Sequence, residues 1–253
     1  MNILRQKINE GKIKGALISL TDPCMAEILG AVGFDCVWID TEHTYMSYKD
    51  VLCHLNAARS RGIGALVRVP QNDLTATKKI LEMGPDAILF PMVRNLEEFN
   101  TLMDMTLYPP IGSRGFGPMR AIDYSGKKAK EYVTEGQHEL MRFMQIEAAS
   151  MIDELEEIAK NPYIDGFIFG PNDLSASVND FLNVLGERTD AEIRRAMQII
   201  RRHGKLAGVA VGQDKTTLEY FSQYEFDMIF AGADWTYIYD CAEKTLGILN
   251  EIM

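Results

Sequence analysis

Two stretches decide the fold: Arg142-Phe143-Met144-Gln145-Ile146-Glu147 and Gly166-Phe167-Ile168-Phe169-Gly170-Pro171-Asn172-Asp173. Each is a short apolar run that ends in polar residues, and Met151–Lys160 between them has helical spacing. The second run is continuously apolar from Phe167 to Phe169, as are most of the runs described below, which is expected of parallel strands buried on both faces. Strand, helix and strand follow in order, with a carboxylate just beyond each strand.

The same alternation continues in both directions. Further runs are Gly15–Leu20, Cys36–Asp40, Gly64–Arg68, Ala87–Pro91, Leu206–Val211 and Met228–Ala231, which with Arg142–Ile146 and Gly166–Phe169 makes eight. Helical patterns cover Pro23–Val32, Ser47–Arg61, Thr75–Met83, Leu96–Met105, Met151–Lys160, Ala191–His203, Thr216–Gln223 and Trp235–Met253. Ser47 with Asp50 forms a loose capping box, and Asp73 and Asp190 are candidate caps. Gly62, Gly84 and Gly204 stand where helices should stop. Eight strands each followed by a helix predict an α/β protein, a (β/α)8 TIM barrel, and such a barrel needs roughly 250 residues. The chain has 253, so residues 1–253 are expected to form a single domain with no internal repeat. A doubly wound open sheet is the architectural alternative. No G-x-G-x-x-G or Walker-type turn follows any strand, which argues against a nucleotide and predicts no organic cofactor.

The net charge of −10 disfavours a nucleic-acid partner, whose phosphates call for clustered Lys and Arg. Cys24, Cys36, Cys53 and Cys241 form no CxxC pair, which predicts reduced thiols. The N-terminus lacks the apolar stretch of a signal peptide, and no run approaches the roughly 20 residues that span a bilayer. The expected location is the cytoplasm, away from membranes.

In a barrel of this kind the site lies at the C-terminal ends of the strands. The sequence puts Asp40-Thr41-Glu42-His43 there after the second strand, Arg68 at the end of the third, Gln145-Ile146-Glu147 at the end of the fifth and Gly170-Pro171-Asn172-Asp173 after the sixth. Glu147 and Asp173 are the expected metal ligands, since a hard cation such as Mg²⁺ is held by one or two carboxylates plus water and substrate oxygens. Either alone fits a surface carboxylate or a turn residue equally well; their place on neighbouring strand ends points to metal. Neither has His or Cys beside it, which argues against zinc. Arg68 ends an apolar strand, where its planar fork suits a carboxylate or a developing enolate oxygen, or else an ion pair with Asp40 or Glu42. His43 is the histidine on this rim and the natural general base, the alternative being a loop histidine satisfied by its neighbours. His54, His138 and His203 read as structural. Lys14 and Lys205 precede their strands and fall on the opposite face, so an imine route lacks its lysine. Two long connections, Leu107–Glu139 and Pro171–Glu187, are expected to carry specificity, with Gly112–Gly117 as a shaped turn bordering the site.

Ile39-Asp40-Thr41-Glu42-His43, Val67-Arg68-Val69-Pro70 with Asn72-Asp73, Pro91-Met92-Val93, Tyr108-Pro109-Pro110 with Gly112 and Arg114-Gly115, Gln145-Ile146-Glu147 and Gly170-Pro171-Asn172-Asp173-Leu174-Ser175 together resemble the HpcH/HpaI aldolase family, in order and over nearly the whole chain. The resemblance implies a class II, metal-dependent pyruvate aldolase acting on 4-hydroxy-2-oxo acids. It implies that His43 is the catalytic histidine, that Arg68 holds pyruvate and its enolate, and that Glu147 and Asp173 bind Mg²⁺, Mn²⁺ or Co²⁺. Gln145 would line the metal site and Asp40 would lie near it, while Gly170, Pro171 and Asn172 would join Arg68 and Gln145 in contacting substrate. Glu82 stands where the family has the aspartate that pairs with its histidine. The resemblance also implies a homo-oligomer, a hexamer built from dimers that exchange a C-terminal helix.

The expected reaction is reversible cleavage of the C3–C4 bond, with His43 taking the C4 hydroxyl proton, an aldehyde leaving, and Arg68 and the metal stabilising the enolate. Another enolate reaction on the same site, oxaloacetate decarboxylation or a citrate-type condensation, is the nearer alternative. A non-catalytic metabolite-binding barrel is the distant one.

Overall fold

The computed structural model describes residues 2–71 and 73–253, so Met1 and the Asn72 of the quoted motif lie outside the described residues. The strands β1 (Ile13–Ile18), β2 (Cys36–Asp40), β3 (Gly64–Arg68), β4 (Ala87–Phe90), β5 (Met141–Ile146), β6 (Gly166–Phe169), β7 (Leu206–Val211) and β8 (Met228–Ala233) pair in parallel, and β8 returns to β1 to close the barrel. The helices in chain order are α1 (Ile3–Glu10), α2 (Cys24–Val32), α3 (Tyr48–Ser60), α4 (Leu74–Glu82), α5 (Leu96–Thr106), α6 (Ala129–Thr134), α7 (Ala149–Ile158), α8 (Pro171–Ser177), α9 (Glu187–Arg202), α10 (Lys215–Ser222) and α11 (Asp234–Ile252). The open sheet is excluded by the β1–β8 pairing.

The strand alternation divides the core in two. Trp38, Leu66, Leu89, Phe143, Ile168 and Phe230 fill the barrel lumen. Val37, Val67, Ile88, Met144, Phe167 and Val209 point outward under the helices. Both faces are therefore apolar, which is why the strands read as unbroken hydrophobic runs.

The opposite end of the barrel carries a repeated device that the sequence reading missed. Asp35, Asp86, Asp165 and Asp227 each stand one residue before an even-numbered strand. Each carboxylate accepts the backbone N–H of the second residue of the strand before: Lys14 at 3.1 Å, Ala65 at 3.0 Å, Arg142 at 2.8 Å and Ala207 at 2.8 Å. These are N–H groups at a barrel mouth, and burying them unpaired would cost roughly 1–3 kcal/mol apiece.

The expected helix signals are present at α3, where Ser47 and Asp50 form a reciprocal capping box, and at α4, where Asp73 accepts from Ala76 N–H at 2.8 Å. Gly62, Gly84 and Gly204 end their helices with φ of +65°, +66° and +64°. Asp190 is not a cap. The helix α9 starts earlier, at Glu187, and the Asp190 carboxylate lies inside it, bonded to Arg194 at 2.8 Å and to Tyr224. Pro171-Asn172-Asp173 is not a turn but the first turn of α8, with Pro171 at its start. Helices α1 and α6 were not anticipated.

The connection from α5 to β5, residues 107–139, runs between a helix end and a strand start, so it lies on the N-terminal face. Arg120 donates to the carbonyls of Met83 and Gly84 there, and Asn2 donates to those of Asp86 and Glu139. The expectation that Gly112–Gly117 borders the chain's own site is overturned by this topology.

Candidate active site

At the C-terminal ends of the strands a cleft of about 350 Å³ opens. Its lining includes His43, Arg68, Gln145, Gly170, Pro171, Asn172 and Asp173. These residues lie at or just after the ends of four different strands, as the sequence predicts.

Arg68 is 7% exposed, and its fork is held flat against Asp40. Nε donates to Oδ1 at 2.9 Å and Nη2 to Oδ2 at 2.7 Å, while Nη1 reaches Gln145 Oε1 at 3.4 Å and Glu42 Oε2 at 3.2 Å. Trp38 lies under the guanidinium, 5.1 Å from ring centre to Cζ. Both functions weighed for Arg68 coexist: it is ion-paired to Asp40 and Glu42, and it faces the cleft. The loop after β2 is fixed by the same group of residues. Thr41 Oγ1 donates to the Arg68 carbonyl at 2.6 Å, Thr44 Oγ1 to the Asp40 carbonyl at 2.5 Å, and Glu42 N–H to Asp40 Oδ1 at 3.0 Å. His43 projects from this loop with its side chain 68% exposed, and its Nε2 is 3.7 Å from Glu42 Oε2.

Glu147 is buried, and one oxygen accepts the Met92 N–H at 2.8 Å. Met92 holds a left-handed φ of +53° two residues beyond β4, a conformation disfavoured for a non-glycine residue. Burial pushes the Glu147 carboxyl up to about 7; the Met92 hydrogen bond opposes this and Glu42 adds to it. Glu42 is also raised, first by burial, against the pull of Arg68 and with the help of Asp40 and Asp173. Asp40, Glu42 and Glu147 therefore crowd one cationic side chain, and Asp173 adds its charge to the two glutamates. Glu42 is the residue that sequence reasoning undervalued; its place two residues after Asp40 on a fixed loop was the available signal.

Gly170 lies over this cluster. A Cβ there would sit 2.8 Å from Gln145 Nε2, 3.0 Å from Glu147 Cγ and 3.1 Å from Glu147 Oε1. The glycine keeps open a space walled by an amide and a carboxylate. Asp173, in the first turn of α8, faces the same cleft. Among the described residues no three His, Cys, Asp or Glu side chains converge on one point, so a cation here would rely on water and substrate oxygens beyond Glu147 and Asp173. That donor set fits a hard, octahedral divalent ion. The raised Glu147 carboxyl also fits, because a bound cation is what would hold it ionised at neutral pH.

Glu82 lies elsewhere. It ends α4 on the N-terminal face, 3.3 Å from Arg114 Nη2, and Arg114 in turn stacks on Tyr108 with its Cζ 4.5 Å from the ring centre. The structure does not bring Glu82 to His43 of the same chain. Lys14 and Lys205 are on that face too, with Lys205 Nζ bonded to the Asn161 and Ile164 carbonyls. His54 is buried against the Leu20 carbonyl at 2.9 Å, His203 pairs with Glu156, and His138 stacks on Tyr163.

A closed parallel barrel with an acidic cleft at its C-terminal mouth, crossed by one buried arginine, defines a (β/α)8 enzyme. Comparison with known proteins specifies it further. Residues 15–239 match the HpcH/HpaI aldolase/citrate lyase family. A hydroxypyruvate/pyruvate aldolase of Deinococcus radiodurans is 32% identical over 208 residues, which cover 82% of this chain and 75% of that protein. A 4-hydroxy-2-oxo-heptane-1,7-dioate aldolase of Shigella sonnei is 30% identical over 231 residues, or 90% and 87% of the two chains. A crystal structure of a family protein from Burkholderia cenocepacia agrees in fold, with a TM-score of 0.90 at 24% identity over 99% of this chain and all of that one. The chain belongs to the HpcH/HpaI aldolase/citrate lyase family, and it is a carbon–carbon lyase.

Proposed function

We propose that the enzyme cleaves a 4-hydroxy-2-oxo acid reversibly to pyruvate and an aldehyde, with Glu147 and Asp173 holding a divalent cation, Mg²⁺, Mn²⁺ or Co²⁺. When bound, that cation supplies Lewis-acid charge to a 2-oxo oxygen, which lowers the cost of negative charge developing there. Arg68 binds the 2-oxo acid and stabilises the pyruvate enolate, its orientation fixed by Asp40. Gln145, Gly170, Pro171 and Asn172 shape the same end of the cleft. His43, at the mouth, takes the C4 hydroxyl proton in cleavage and returns it in condensation.

The convergence of Arg68, Gln145, His43 and Asp173 on one cleft is the observation that carries this reading. His43→Ala is the test. Loss of turnover, about 10²-fold or more, with Mn²⁺ affinity kept supports the role. Full activity in that variant refutes it.

Residues 1–253 act as one domain, and the working form is a homo-oligomer. Helix α11 supports this: Ile238, Leu246, Leu249 and Ile252 on it are exposed, and Asp234 is its one buried residue. An apolar stripe of that kind suits a second copy, and a hexamer built from helix-exchanging dimers would cover it. Such packing is also the route by which Glu82 can meet a His43, that of a neighbouring protomer. Removal of residues 238–253 should shift the particle to a smaller mass in light scattering; an unchanged mass contradicts the docking role. Among the described residues no helix is long and apolar enough to cross a membrane. The free cysteines, with Cys24 and Cys241 exposed, support a reducing cytoplasm.

A further inference from the structure

The cleft has two unlike ends. Toward β3, β5 and α8 it is polar, and that end is accounted for by the 2-oxo acid. Toward β1, β7 and β8 its walls are mostly apolar, Leu17, Ala210, Val211, Ala233 and Trp235, with Thr236 as the polar side chain among them. Trp235, in the first turn of α11, lines this rim with about half of its surface exposed (54%).

Charge is equally one-sided. Among the described lining residues Arg68 is the one permanent cation, and its nitrogens already face Asp40, Glu42 and Gln145. Outside the lining, the β7–β8 rim carries two acids, Asp214 and Asp240, and one base, Lys215, which is paired with Glu219 at 3.4 Å. Asp214 Oδ2 stands 3.2 Å from where a Cβ on Gly212 would be, and Asp240 accepts from Gln213 Nε2 at 2.5 Å. A carboxylate or phosphate placed at this end would lose water and meet no cation among the described lining residues of this chain, an arrangement that disfavours a charged ligand.

We propose that the aldehyde half of the substrate is uncharged and apolar, and that Trp235, with Leu17 and Val211, sets this preference. The inference rests on the aldolase reading above and narrows it: the distal end of the 4-hydroxy-2-oxo acid carries an alkyl or aryl group, not a second acid. The apolar chain would lie against the indole face and exclude water from the mouth of the cleft, close to where His43 handles the C4 oxygen.

The test uses the full-length, Mn²⁺-loaded enzyme in two assays. Deuterium exchange into the pyruvate methyl group, followed by NMR, needs only the 2-oxo acid end. Condensation of pyruvate with 4-methylpentanal or with 4-oxobutanoate, two aldehydes matched in heavy-atom count, reads the other end. The wild type should favour 4-methylpentanal by about 30-fold in kcat/KM. Trp235→Ala should cut that ratio by about tenfold, and Trp235→Arg should raise kcat/KM for 4-oxobutanoate about tenfold, each rate normalised to the same variant's own exchange rate. Trp235 is exposed, so the fold tolerates both changes. Exchange with equal or better use of 4-oxobutanoate overturns the proposal and leaves the aldolase reading standing. No exchange with Mg²⁺, Mn²⁺ or Co²⁺ removes the aldolase reading and the proposal with it.

Discussion

Arg68 and Asp40 are register partners on adjacent strands, and their side chains form a two-point pair with N–O distances of 2.9 and 2.7 Å. The pair fixes the guanidinium before any substrate arrives, so the orientation of the fork is built into the barrel wall. A lysine would keep the charge and lose the fork. Arg68→Lys should therefore lower kcat/KM for the 2-oxo acid about 10²-fold while the protein stays folded. Asp40→Ala should destabilise the protein by about 3 kcal/mol, because it strips a buried guanidinium of its main partner. Steady-state kinetics and urea denaturation check the two; an active lysine variant would show that orientation is not what Arg68 contributes.

Gly170 is required by space rather than by backbone angle. Its hypothetical Cβ falls within 3.0 Å of both Gln145 Nε2 and Glu147 Cγ, so Gly170→Ala must push the amide or the carboxylate aside. Mn²⁺ affinity, measured by titration calorimetry, should fall about 10- to 100-fold with the fold intact. Unchanged affinity would remove Glu147 from the metal site.

The barrel was legible because its lumen and its outer layer are both apolar, and β2, β3, β6 and β7 have the bounds read from the sequence. The rim was legible for the same reason: each apolar run stops where polar residues begin, at Arg68, Gln145 and Gly170. What escaped depends on partners distant in sequence. Asp35, Asp86, Asp165 and Asp227 read as ordinary loop acids until the neighbouring strand's N–H appears beside each. Glu42 was weighed only as a partner for Arg68, and its place beside Glu147 appears only once β2, β3 and β5 are brought side by side. Glu82 was placed by likeness to a motif, and the direction of α4, antiparallel to its strand, takes it to the far end of the chain's own barrel. The 107–139 connection misled for the same reason, since length alone does not say which face a loop lies on.

Glu147 should make metal stabilisation depend on pH. Burial raises its folded value to about 7 from an ordinary 4.5. In the metal-free protein its contribution to stability is fully present below about 4.5 and is lost as pH rises through about 7. A cation needs the ionised form and relieves that penalty, so the rise in Tm on adding Mn²⁺ should grow from pH 5 to pH 7.5. The growth should vanish in Glu147→Gln. A pH-independent rise in the wild type would contradict the assignment.

His54 acts with the opposite sign. It is buried beside the Leu20 carbonyl, and burial holds its folded value below the ordinary 6.5. The fold therefore favours the neutral ring. Its contribution is present above about 6.5 and declines as pH falls toward the lower folded value. Urea midpoints from pH 7 to pH 5 should fall more steeply for the wild type than for His54→Gln; parallel curves would show that His54 carries no such linkage.

The most direct test of the central claim is pyruvate release from a 4-hydroxy-2-oxo acid with an alkyl distal group, assayed after chelation and again after Mg²⁺ or Mn²⁺ is restored. The account predicts that release stops with chelator, returns with either cation, and fails to return in Glu147→Gln or Asp173→Asn. Release that persists through chelation, or that both variants retain at wild-type rates, would contradict it.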